Sequence, residues 1–97
     1  MDTIAEKIDV ARQVMLILGA DPMTVKSWGF NSPVDIPNGL EFNVRGFKFR
    51  GKVRVTYDVE KDTFDVSFIS KEDVVKTIPD VVFTSLIESV DRVVETA

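Results

Sequence analysis

The sequence predicts an α+β domain, a two-layer sandwich in which an N-terminal and a C-terminal helix cover one face of a four- or five-stranded antiparallel meander. Three observations carry this expectation: helical spacing of apolar residues at both ends, period-two alternation in the middle, and turn residues between the alternating runs. A chain of 97 residues has the length of a single domain, 1–97, because too little apolar material is present for two cores.

The first helix is predicted over Thr3 to Leu18, where Ile4, Ile8, Ala11, Met15 and Leu18 recur at spacings of four and three, with Val14 and Ile17 widening the stripe. Thr3 with Glu6 forms a capping box, Gly19 supplies a left-handed residue after the end, and Asp21-Pro22 prevents continuation. Thr24 to Phe30 reads as a short strand carrying Trp28 and Phe30. Asn31 to Gly39, with two prolines, two asparagines and a glycine, reads as a loop.

Leu40, Phe42 and Val44 then alternate with polar residues, and beyond Gly46 the apolar parity switches to Phe47 and Phe49. A bulge at Arg45-Gly46 keeps both sets on one core face, with Arg50-Gly51 as the turn into the next strand. Val53, Val55, Tyr57 and Val59 form that strand, Glu60-Lys61-Asp62 a second turn, and Phe64, Val66 and Phe68 the inward side of a further strand. Val74 to Ile78 fits either an edge strand or an irregular approach to the last helix. That helix is expected after Pro79, with Val82, Phe83, Leu86, Ile87, Val90, Val93 and Val94 on its apolar face. Its valines lower intrinsic propensity, so its stability depends on docking to the sheet.

Composition removes most catalytic chemistry. The 12 basic and 16 acidic residues include no histidine, and cysteine is also absent. Thiol nucleophiles, disulfides, Ser-His-Asp relays and the usual nitrogen and sulfur zinc sites are thereby excluded. No phosphate-binding glycine loop occurs, so no cofactor is expected. Asp58, Glu60 and Asp62 have the alternation of a calcium loop, but Thr63 replaces the required glycine and Ile69 the closing glutamate, leaving a solvated turn. The N-terminus lacks a secretory signal, and no apolar run approaches the ~20 residues of a membrane span. A cytoplasmic protein without membrane contact is the expectation.

Charge is unevenly divided. Residues 1–40 carry three basic and five acidic groups, residues 41–57 five and one, and residues 58–97 four and ten. The five middle cations, Arg45, Lys48, Arg50, Lys52 and Arg54, cluster near one hairpin on the side away from the helices, where they attract acidic surfaces or phosphates. They also fit the solvated positions of a two-sided sheet, guarding it against aggregation. Arg45-Gly46-Phe47-Lys48-Phe49 shares the aromatic spacing of an RNA-recognition signature. It departs from it at Lys48, Arg50 and Lys52, and Phe47 and Phe49 fit core positions better. Trp28 and Phe30 plug the core in one reading and anchor an interface in the other.

The leading expectation is therefore a non-catalytic adaptor domain that meets another protein through Arg45, Lys48, Arg50, Lys52, Arg54, Trp28 and Phe30. Nucleic-acid binding through strands 45–54 is the alternative. A metal-dependent hydrolase using Asp58 or Asp65 ranks last, because nothing in the spacing selects a carboxylate pair. Self-association through an uncovered edge strand is a further expectation.

Overall fold

The computed structural model describes residues 9–95. Helix α1 (Val10–Leu18) is followed by a short helix α2 (Pro22–Ser27), five strands, a 3-10 turn (Phe83–Ser85) and helix α3 (Leu86–Val94). The strands are β1 (Asn31–Ile36), β2 (Gly39–Arg45), β3 (Arg50–Asp58), β4 (Thr63–Ser70) and β5 (Asp73–Val81). They pair antiparallel in the order β1-β2-β3-β4-β5, so every strand neighbours its successor in the chain. This is the expected α+β meander with helices before and after it.

One apolar cluster joins the layers. Val10, Val14 and Leu18 of α1 and Leu86, Val90 and Val94 of α3 pack with Leu40, Phe42, Val44, Val53, Val55, Phe64, Val66 and Phe68 of the sheet. Both long helices therefore cover the same face, and burial of their stripes is the main force holding the layers together. Among the described residues no helix covers the other face of the sheet.

Several local expectations are corrected. The proposed strand over Thr24 to Phe30 is helical at its start: Asp21 caps α2, its carboxylate accepting from Thr24 N at 3.3 Å and Thr24 Oγ1 at 2.8 Å. Pro22 occupies the first turn, where its missing N–H costs nothing. Asp21-Pro22 thus stops one helix and starts another. Gly19 stays right-handed, with φ −67° and ψ −12°, because the chain turns at once into α2. Asp9 caps the described part of α1 by accepting from Arg12 N at 3.1 Å; Thr3 and Glu6 lie outside the described residues.

The predicted loop at 31–39 contains β1, and the undecided stretch at 74–78 lies within β5. Both are edge strands interrupted by irregular register, and each holds a proline, Pro33 and Pro79, where no ladder bond is required of it. Asn38 is left-handed at φ 60° beside Pro37, the residue pair of a type II turn between β1 and β2. Pro79 precedes the last helix by a longer interval than its sequence position implies, since α3 begins only at Leu86.

The largest correction concerns the β2–β3 hairpin. Its turn lies at residues 46–49, and Arg50 and Gly51 already pair with Arg45 and Val44. Val94 O, at the end of α3, accepts from Lys48 N at 2.7 Å and Phe49 N at 3.3 Å, while Glu95 Oε2 accepts from Phe47 N at 2.7 Å. These acceptors hold the loop where the expected bulge and later turn would have placed strand. Phe49 reaches the core, edge-to-face with Phe68 at 5.6 Å. Phe47 is 83 % exposed and is not a core residue.

Candidate functional site

Cross-strand register decides which expected contact residues share a surface. On the helix-free face Arg45 stands opposite Arg50, Asn43 opposite Lys52, and Glu41 opposite Arg54. The strand alternation that buries Phe42, Val44, Val53 and Val55 turns these polar side chains the other way. Arg45, Arg50, Lys52 and Arg54 thus line one side of a shallow groove of about 1310 Å³, and Ile69, buried outside the main core, contributes its apolar floor.

The cations are not equivalent. Glu41 accepts from Arg54 Nε at 3.1 Å and Arg54 Nη2 at 3.0 Å, and its other oxygen lies 3.8 Å from Lys52 Nζ. Arg54 is thereby largely neutralised and Lys52 partly so. Arg45, Lys48 and Arg50 form no ion pair among the described residues. Two arginines directly opposite one another disfavour the pairing that holds them, because like charges repel across a ladder. Lys48 sits beside this group on the hairpin loop and does not line the groove.

Lys26 and Lys71 join the groove, carried there by α2 and the β4–β5 turn, together with Glu72. Sequence reasoning missed both lysines. Each is isolated in the chain from the 45–54 cluster, and only the topology that returns β4 beside β3 brings Lys71 close.

The aromatic expectations fare differently. Trp28 is fully buried, stacked on Phe42 at 6.4 Å, and its Nε1 donates to Asp91 Oδ1 at 2.9 Å. Its assignment as a contact residue is corrected, since no partner can reach it without opening the core. Phe30 is half-buried against Phe42 at 4.7 Å and is among the residues that line the groove. Phe30 is the one aromatic among the described residues lining this groove, and a single ring gives no platform on which successive bases could stack.

Carboxylates collect at the opposite end of β3. Asp58 accepts from Glu60 N at 3.0 Å and Lys61 N at 3.3 Å, so it caps its own turn, and Asp65 accepts from Asp80 N at 3.3 Å. Among the described residues no three acidic groups converge as metal ligands. Tyr57 donates its hydroxyl to Asp62, and that bond, followed by burial and the negative charge nearby, raises the phenol above its usual range. Lys61 is raised as well, through its contact with Asp80 at 3.2 Å.

Both shifts favour the protonated form in the folded state, so their stabilising contribution is complete below the unfolded values, near 10 for both groups, and fades as pH rises through the folded ones. A titration of tyrosinate absorbance is expected to give a midpoint above that of a free phenol. Asp62→Asn, which tolerates the left-handed backbone at φ 55°, returns the midpoint toward the ordinary value. An unmoved midpoint would separate Tyr57 from Asp62 in solution.

No helix among the described residues is long and apolar enough to cross a membrane. Set against protein-family models, curated proteins and solved structures, the chain matches none of them.

Proposed function

We propose that the chain is a non-catalytic binding domain that takes acidic segments of a partner protein onto the open face of its sheet. The observation that carries this reading is the Arg45–Arg50 pair, two cations held opposite each other, neither of them in an ion pair among the described residues. An external carboxylate relieves their repulsion and can accept from either guanidinium fork. Ile69 and the lysine stems offer apolar surface beneath such a segment. The missing stacking platform favours a carboxylate-bearing partner over single-stranded nucleic acid.

A fluorescein-labelled Asp/Glu-rich peptide tests this by anisotropy. The variant R45S/R50S/K52S is expected to bind it roughly tenfold more weakly, and added salt to weaken the native complex. Equal affinity of variant and native protein for the peptide would overturn the assignment. Retention of an oligothymidylate probe in place of the peptide would give the face to phosphates instead.

A further inference from the structure

Phe47 stands in water on a loop that cannot easily retract it. The peptide N–H groups of residues 47, 48 and 49 are all held by the end of α3, so the exposed ring is a preorganised apolar knob with Lys48 and Arg50 beside it. At the far end of β3 the molecule carries a concave surface with apolar lining. A groove of about 480 Å³ is lined by Ile17, Tyr57, Asp62, Phe64, Val82 and Phe83. Phe83 is 65 % exposed, and Asp58 and Glu60 belong to the turn that adjoins Asp62. The only lysine of that turn, Lys61, is already engaged by Asp80.

The nine residues of β3 separate knob from groove by roughly 30 Å at the usual strand rise, so a chain cannot fill its own groove. We propose that the protein self-associates head to tail, the Phe47–Lys48 tip of one copy entering the apolar, acid-rimmed groove of a second copy. The occupant is argued from charge: a positive knob meets a negative rim, and both are present in equal number on every molecule. This goes beyond the open-face reading and rests on Phe47 and Lys48, which do not line the groove on that face. The contact is heterologous, so each new pair leaves one tip and one groove free and the assembly stays open-ended. A tip-sized contact lies at the small end of interface areas, and association is weak, with a dissociation constant of roughly 0.1–1 mM.

Sedimentation of the full chain from about 10 µM to about 1 mM is expected to show average mass rising with concentration. The tip variant F47S/K48S and the groove variant E60K/F83K each remain at monomer mass alone. Mixed, they form a one-to-one complex, because each retains the half the other lacks, and this recovery also shows that both are folded. Monomer mass throughout for the native chain, self-association persisting in the tip variant, or no complex on mixing would each overturn the proposal. Binding of phosphatidylserine–phosphatidylcholine vesicles by a native chain that stays monomeric, lost in F47S/K48S, would assign the tip to a membrane and overturn it too. F47S/K48S keeps Arg45, Arg50 and Lys52, so its capture of the acidic peptide is preserved, and failure of either reading is visible without the other.

Discussion

Trp28→Ala is expected to leave the protein largely unfolded at room temperature or within a small margin of it. The side chain is fully buried, lies nearly parallel to Phe42 at an interplanar angle of 9°, and ties α2 to α3 through Asp91. Truncating a buried aromatic of this kind costs about 3–5 kcal/mol, against a total of about 5–15 kcal/mol for a typical domain. Trp28→Phe separates the two contributions. It keeps much of the apolar volume but removes the indole donor, so the loss falls to about 2–3 kcal/mol, the cost of one hydrogen bond to a charged acceptor plus some lost packing. Urea denaturation followed by circular dichroism reads both values. Native-like stability of Trp28→Ala would mean that the indole does not occupy the core.

Gly46→Ala is expected to give the second-largest effect, of about 1–3 kcal/mol, the range for forcing extra volume into a packed site. A Cβ at this position would lie 2.1 Å from Val94 Cγ1 and 2.6 Å from Val94 O. One of those atoms is backbone at the end of α3, so relief requires the hairpin and the helix end to separate. The amides of residues 47–49, which bond to Val94 and Glu95, are then expected to exchange with deuterium much faster than in the native chain, while the protected amides of β4 change little. Uniform acceleration across the sheet would point to global destabilisation and away from a local hinge at Gly46.

What the chain revealed before its structure was known follows from how local each signal is. Period-two alternation in β2, β3 and β4 and the apolar stripes of α1 and α3 are properties of consecutive residues, and they carried the α+β architecture. Asp21-Pro22 was ambiguous because the same dipeptide closes one helix and caps the next. Strand β1 was hidden by Pro33 and its neighbours, which read as loop but are compatible with an edge. The hairpin turn falls at residues 46–49 instead of Arg50-Gly51 because its acceptors, Val94 and Glu95, lie more than forty residues away in the chain.

The cationic cluster was legible for the same reason as the strands, since alternate residues share a face. The pairing of Glu41 with Arg54 and Lys52 was not, because it is set by cross-strand register. Trp28 could be read as anchor or as core, and its burial depends on α3 closing over it from the other end of the sequence.

The blunted rims of the sheet bear on how the protein behaves when crowded. Amyloid growth adds flat, in-register backbone to a free margin, and here both margins are broken by an imino ring and a slipped ladder. Fibril templating would first require those margins to straighten, so the folded chain has a built-in barrier to cross-β conversion even though its interior is rich in valine and phenylalanine.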